Sequence, residues 1–594
     1  MAVNYKAPIN DIIFAYEVLD SYNILNKIEK FKDFGLDTLE PIVEECAKFA
    51  EEVLAPINSI GDKNGAIFDE GIVKMPPGFK EAYEKFTKAG WSSISLPSDI
   101  GGGGLPYGLS AAILEILCTA NMAFVLGPGL SIGAISGINF HANQGQKDMY
   151  LPDLVAGNWT GTMNLSEPQS GSDLSNISTK ATKQDDGTYR ITGTKIWIGS
   201  GEHDLSENII HLVLAKVPGS PEGTKGISMF IVPKFVVNDD SSLGGHNKVN
   251  CISIEEKLGI HGSPTCVMEY DGSVGYLIGE ENMGLNYMFT TINEARIRAG
   301  GHGLACTSGA LQGASQYARD RVQGRPVGMT KEEAKDSTII DHADVRRTLM
   351  TIKSYLDAMR YMNYDNHLML DLEYFAEGEL KDFGKERCGI LTPITKAWIS
   401  DLSVELTSMA IQVYGGMGYV EETGIAQYFR DARIAPIYAG TNGIQAEDLV
   451  FRKITLNDGK AVESLLKEMR TNISSMKEHE NLEPLSEILE RHVAEIEEAT
   501  QYLLKELGKG NLAGVSASGT PYLKMFGQVL GGHYMGKAAV TATKNLLEDN
   551  TEFYNDKFTL SKFYIEQLLP LASSYFSSVM LGKENLYSID SNSF

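Results

Sequence analysis

A chain of 594 residues is too long for one hydrophobic core and predicts roughly three to five domains. Its 43% hydrophobic and 22% charged residues are those of an ordinary globular protein, and a formal net charge of -25 excludes nucleic acid and anionic lipid as main partners. Six cysteines, scattered without a CxxC pair or a companion histidine spacing, exclude a disulfide framework and a zinc site and predict a reducing, cytoplasmic home.

The opening MAVNYKAPINDIIFAYEVLD carries acidic residues early and lacks the basic and apolar regions of a signal peptide, so secretion is not expected. Residues 35 to 160 read as helical, with PIVEECAKFAEEVLAPI spacing its apolar residues at three and four and LSAAILEILCTANMAFVL a more buried run. The uncharged stretch NMAFVLGPGLSIGAISGINF is broken by Pro128 and four glycines and reads as buried helix rather than a membrane span.

Between 161 and 285 the period falls to two, in TYRITGTKIWIGSG, NIIHLVLAKV, GISMFIVPKFVV and TCVMEYDGSVGYLIG, which predicts an antiparallel β module. Helical period returns over 286–455. A polar Asp-Gly connection follows, and 460–594 reads as an extra C-terminal helical domain. Its stripes, Val462, Leu465, Leu466, Met469, Ile473 and Met476, then Leu485, Ile488, Leu489, Val493, Ile496 and Leu503, read as packing positions. The fold class is therefore mainly α with a central β module, over 1–160, 161–285, 286–455 and 460–594.

No metal constellation is evident: His141, His203, His261 and His342 each lack a second ligand at i+3 or i+4. The glycine runs at 101 and 414 lack the context of a dinucleotide fold or a P-loop. More specific is MNLSEPQSGSDLSN, residues 163–176, whose serine hydroxyls could grip a polar planar ligand or could belong to a plain loop. Trp197, one of four tryptophans, reads on its own as core, with a stacking wall for an aromatic cofactor as the alternative.

Together SEPQSGSD, KIWIGSGEH, KLGIHGSPTC, YARDRVQGR, AIQVYGGMGY and IYAGTNGIQ occur in the order and at the spacing of the acyl-CoA dehydrogenase family of flavoenzymes, which this chain resembles over residues 35 to 455. The resemblance implies a helical domain, a β-barrel domain and a four-helix domain with FAD at their junction. The N-terminal segments and the extra C-terminal domain resemble a longer branch of the family. Implied there is α,β-dehydrogenation of a short or medium acyl-CoA, with 3-methylmercaptopropionyl-CoA the expected substrate and an alkyl chain of equal length the alternative. An electron-transfer flavoprotein is the implied acceptor and a homodimer the implied assembly.

Residue by residue, the resemblance implies that Leu165 and Ser166 meet the flavin pyrimidine edge and that Trp197 flanks the ring. Ser172 would touch the CoA pantetheine. Arg321, His342, Gln412 and Gly416 would reach the pyrophosphate and adenosine of a neighbouring subunit's FAD, and Thr441, Asn442 and Gly443 would close over the dinucleotide. Asn293 and Arg296 stand where the helix on the CoA side begins, and Tyr438 and Gly440 flank the reacting position. Gly199 replaces a hydroxyl residue that in many members meets flavin N5, so Ser200 or a backbone N–H must serve.

The main departure lies in IYAGTNGIQ. Where the family has a glutamate that removes the substrate's α-proton, this chain has Ala439. A methyl group accepts no proton, and a positioned carboxylate contributes about 10²–10⁴ in rate. Three readings follow: an inactivated variant, favoured by the intact neighbouring motifs; a substitute base, for which Glu294 is the candidate although one position off the place where some members carry it; or a non-redox relative that binds acyl-CoA or FAD.

Overall fold

In the computed structural model, which describes residues 4–549 and 551–594, the period-two runs pair as expected, but not wholly antiparallel. The strands are β1 Ile67–Asp69, β2 Ile72–Lys74, β3 Trp159–Asn164, β4 Lys180–Lys183, β5 Tyr189–Gly199, β6 Asn208–Lys216, β7 Ile227–Pro233, β8 Phe235–Val237, β9 Leu243–His246, β10 Val249–Ile254 and β11 Thr265–Leu277. β11 pairs β5, β5 pairs β4, β4 touches β6, β6 pairs β7 and β7 returns to β11, which closes a barrel. β10 flanks β11, and β3 runs parallel to β6 from Trp159 beside Asn208 to Asn164 beside Val213. The antiparallel expectation is thus corrected to a mixed sheet. A parallel pair needs a long crossover, and here the excursion through β4 and β5 supplies it.

β6 is apolar on both faces because both faces are covered. Leu212 and Leu214 pack outward with Ile135, Ile138 and Leu154 of helices Tyr107–His141 and Gln144–Ala156. Val213 and Ala215 point the other way, with Tyr189, Ile191, Phe230 and Val232. The first third is not wholly helical: β1 and β2 form a hairpin through Glu70 (φ 47°) and Gly71 (φ 90°), a pair of left-handed turn residues suited to a two-residue loop.

By packing, the chain forms two units, one of residues 48–105 and 120–295, the other of residues 1–47, 106–119 and 296–594. The helix Tyr107–His141 is long and apolar enough to cross a membrane, yet 83% of its apolar window is buried inside the protein. It breaks at Asn121 (φ -163°, ψ 88°), whose side-chain carbonyl accepts from the Phe124 N–H and caps the next turn.

The second unit is helical, built around Gly378–Val413 and Leu512–Glu548. Eleven of the twelve C-terminal stripe positions named above are core residues, and the twelfth, Ile488, is half-buried. The glycines of Leu512–Glu548 let it seat closely: a Cβ on Gly527 would lie 2.3 Å from Trp398. Helix Ala343–Phe375 carries a buried charge cluster. Arg360 donates to Glu115 at 2.6 Å and to Asp357 at 2.8 Å, Tyr364 donates to Glu115, and Lys557 bridges Asp357 and Asp11 at 2.8 and 2.7 Å. Lys353 completes it on Asp11, so three cations face three carboxylates.

Removing one partner of such a cluster strands a charge out of water, and breaking a buried pair costs about 3–5 kcal/mol. Arg360→Met should therefore lower stability by about that amount, read as a reduced urea midpoint with an unchanged denaturant slope, whereas Arg470→Met, at the half-exposed pair with Glu497, should change it by less than about 1 kcal/mol.

Candidate functional site

The first unit holds the Leu165–Ser200 part of the predicted site. β5 alternates inward and outward from Tyr189 to Lys195, then a bulge opposite Cys266–Met268 resets its phase. At the bulge Trp197 takes a left-handed backbone (φ 62°) and swings out, 60% exposed, which overturns its reading as core. The bulge also turns the Ile196 N–H away from the ladder to donate to the Ser166 carbonyl at 3.0 Å. The segment after β3 is thereby fastened beside the exposed indole.

Inside the same strand Lys195 is fully buried. Its ammonium donates to the Leu165 carbonyl at 2.9 Å and to Glu167 at 2.8 Å. Glu167 also accepts from the Ser178 N–H and hydroxyl, the Thr179 N–H and Gln169. Burial raises the Glu167 carboxyl, but Lys195 and these donors outweigh it and bring it down to about 2; burial lowers Lys195, offset in part by Glu167, to about 8. Gly193 allows β5 to pass this loop, since a Cβ there would sit 2.4 Å from the Thr179 hydroxyl. Sequence reasoning missed Lys195, because a lone lysine in a strand reads as solvent-facing; only its place in the inward phase of TYRITGTKI signals otherwise.

Ser200 (φ 51°) is buried, and its N–H donates to the Pro264 carbonyl at 2.8 Å, so that backbone donor is already engaged within its own unit. The Gly199 carbonyl accepts from Thr162. Ser172 and Asn293 are exposed. Glu294 is buried, with Ser136 donating to its carboxylate at 3.4 Å.

The second unit gathers Arg321, His342, Gln412 and Gly416 in one place. Tyr317 and Tyr414 stack at 4.2 Å, which sets the end of helix Gly284–Asp320 beside the end of Gly378–Val413. The Arg321 carbonyl accepts from Ile339, and the His342 ring bonds the Gln323 carbonyl. Arg321, Gln412 and Gly416 are exposed, and among the described residues no carboxylate forms an ion pair with the Arg321 guanidinium, a group suited to a phosphate.

Around Ala439 the chain is held from three sides. Tyr438 is hydrogen-bonded to His302 Nδ1 and stacks on its ring. Gln445 donates to the carbonyls of Ala439 and Gly440 at 3.3 and 3.4 Å, and Arg296 pairs with Asp448 at 3.2 Å, with one guanidinium nitrogen 3.7 Å from where a Gly440 Cβ would lie. Ala439 (φ 55°) and Gly440 (φ 83°) are both left-handed. Thr441 caps the helix Asn442–Asp448 by accepting from Ile444, and Gly443 is exposed. The Asn442 amide does not face outward as expected for a group that closes over a ligand. It bonds Asp401 at 2.6 Å, Ser400 and the Ala397 carbonyl and accepts from Lys396 at 2.8 Å, so only its backbone remains for a cofactor. Burial brings Lys396 down to about 7, against the opposing pull of Asp401. His302 and Lys396 lie in no local motif, and Gln445, although it ends IYAGTNGIQ, has no bracing role legible from its position there.

Four family models match in succession: the acyl-CoA dehydrogenase N-terminal domain over 37–158, the middle domain over 162–273, the C-terminal domain over 282–453, and an acetyl-CoA dehydrogenase C-terminal-like domain over 465–590. The chain belongs to the acyl-CoA dehydrogenase family. It is 40% identical over 580 residues to a 3-methylmercaptopropionyl-CoA dehydrogenase of Ruegeria pomeroyi, covering 97% of this chain and 98% of that one. It is 32% identical to a butyryl-CoA dehydrogenase of Syntrophomonas wolfei, over 96% of this chain and 95% of that one. In fold it matches an acyl-CoA dehydrogenase of Bacillus anthracis solved with FAD, at TM-score 0.74 and 19% identity over 94% and 90% of the two chains.

As a member of this family the chain uses FAD, and its residues fit that cofactor. An exposed indole stands beside a tethered backbone segment in one unit, and an exposed arginine with His342 and Gln412 stands in the other.

His203, His211 and His302 are buried, and burial holds each down to about 3, while an unfolded histidine titrates near 6.5. The unfolded state then binds more protons below pH 6.5, so stability is complete above that pH and falls as pH drops toward 3. The loss is about 1.4 kcal/mol per pH unit for each histidine. Urea melts at pH 7 and pH 5 should show this decline, and His302→Gln should make it shallower.

Proposed function

We propose that this chain binds a short acyl-CoA thioester of the 3-methylmercaptopropionyl class beside FAD, in a site shaped for α,β-dehydrogenation but without the base that begins it. The near full-length 40% identity to the Ruegeria enzyme supports the substrate class. The observation that carries the rest is Ala439: its left-handed backbone is held by Gln445 and by the Tyr438–His302 pair, while its side chain ends at a methyl.

FAD, when bound, accepts the hydride that leaves the substrate's β-carbon. The chain's own part is to hold the thioester and take the α-proton. The Ala439 N–H is a backbone donor, so carbonyl binding survives whatever side chain stands there. Proton removal does not survive, since an alanine methyl has no basic atom. Glu294 is the substitute to test, and its contact with Ser136 sets the carboxylate in a buried place of its own unit.

Reduction of the flavin by 3-methylmercaptopropionyl-CoA or butyryl-CoA should be at least about 10²-fold slower than in Ala439→Glu, while the acyl-CoA dissociation constant stays within a few-fold. Rapid anaerobic mixing followed at the flavin band measures both. Fast bleaching of the unaltered chain refutes the missing-base account, and its abolition by Glu294→Gln hands the role to Glu294. A purified protein that remains colourless after reconstitution with FAD favours a binding relative without redox turnover.

The same reading includes a homodimer, an electron-transfer flavoprotein as acceptor and a cytoplasmic location. Arg321, Gln412 and Gly416 lie exposed with Val322, Val327, Met417 and Tyr419, an apolar surface of the kind a second copy covers. All six cysteines are buried thiols, in keeping with a reducing compartment. Light scattering should give twice the chain mass at micromolar concentration with FAD bound; a stable monomer overturns the dimer.

A further inference from the structure

Lys195 and Glu167 form an ion pair with almost no exposure, 0% and 1% by side chain, in a chain rich in carboxylates that could have stayed in water. A buried pair of this kind is poor evidence for stability, since well-packed apolar residues of similar volume serve as well or better. Neutralising Glu167 does not account for it either. That carboxylate already accepts from two backbone N–H groups, a hydroxyl and an amide: Ser178 N–H at 2.6 Å, Thr179 N–H at 3.1 Å, the Ser178 hydroxyl and Gln169.

What Lys195 adds is its second bond, to the Leu165 carbonyl at 2.9 Å. Immediately after it, the Ser166 carbonyl accepts from Ile196, the next residue of the same strand, and Glu167 and Ser170 exchange backbone bonds at 2.8 and 2.9 Å. Two consecutive carbonyls, 165 and 166, are thus drawn onto two consecutive residues of β5, 195 and 196. Both carbonyls point toward the strand, so the Ser166 N–H, which lies opposite the Leu165 carbonyl across a trans peptide, is turned the other way. Residue 197, next on the strand, is the exposed indole.

We propose that Lys195 is a positioning residue for the flavin: with Glu167 as its anchor it fixes the Leu165–Ser166 backbone at one height beside Trp197, so that the edge that meets the flavin is formed before the cofactor arrives. This rests on the reading that Leu165 and Ser166 meet the flavin. The pair touches neither substrate nor reacting atoms, and its effect is on cofactor affinity and on the flavin's surroundings.

Two measurements test it. In the unaltered protein freed of FAD, hydrogen–deuterium exchange should find the amides of Glu167, Ser170 and Ile196 protected; exchange at unstructured-loop rates overturns the proposal. In Lys195→Met/Glu167→Gln, where no buried charge is left without a partner, the FAD-free protein should melt close to the parent yet bind FAD at least 10-fold more weakly, with a shifted flavin absorption band and midpoint potential. Parent-like affinity, spectrum and potential in that variant overturn the proposal, as does recovery of all three when the double variant is compared with Lys195→Met alone, since the pair would then matter only as a charge balance. A parent that takes up no FAD overturns the underlying reading as well, which separates the two failures.

Discussion

The bulge in β5 is the constraint on which the cofactor-facing part of the first unit depends. A regular strand would send residue 197 into one face and keep the Ile196 N–H in the ladder with β11. Instead one extra residue changes the phase between Lys195 and Ile198, so lysine and isoleucine both lie inside while the tryptophan between them is expelled. The left-handed conformation at Trp197 is uncommon for a bulky residue and is tolerated because ladder bonds hold the strand on both sides. A local irregularity therefore does three tasks at once: it presents a ring, frees an N–H for the neighbouring loop and keeps an ammonium under that loop.

The second unit depends on a different kind of constraint, charge placed where water is absent. Asp11 comes from the first helix, Glu115 from the segment 106–119, Lys353, Asp357 and Arg360 from one central helix and Lys557 from the C-terminal domain. Apolar contacts alone would let such helices slide against one another, since hydrophobic burial is non-directional. A bidentate guanidinium between two carboxylates has one good geometry. It fixes the register of the central helix, whose neighbours carry Arg296 and the Tyr438–His302 contact.

The sequence made the larger elements legible because their periods are strong. The C-terminal stripe from Val462 to Met476 is buried throughout, and the switch to period two marks the barrel. Less legible was what depends on pairing between distant strands. The parallel alignment of β3 with β6 has no local signature, and Trp197 looked like core because a bulge cannot be seen in one strand without its partner. The motif residues of the candidate site were readable as a set, and the structure gathers Arg321, His342, Gln412 and Gly416 at two adjoining helix ends. Their supports were not, since Lys195, Lys396 and His302 act through contacts made far from their own positions in the chain. Asn442 shows the converse: a motif residue whose side chain is an internal brace.

The way the first helix joins the second unit bears on how the protein is made. Glu17 accepts a hydrogen bond from Asn545, 528 residues later, and Asp11 waits for Lys353, 342 residues on. A ribosome adding about 5–20 residues per second leaves the opening helix without those partners for on the order of a minute. During that time its buried face, with Ile12, Phe14 and Tyr16, has nothing native to cover it. The barrel, complete by Leu277, can close while synthesis continues, but the helical unit cannot. Its assembly is a release-time event, dependent on protection of an apolar N-terminal segment and vulnerable to any truncation that removes the last helices.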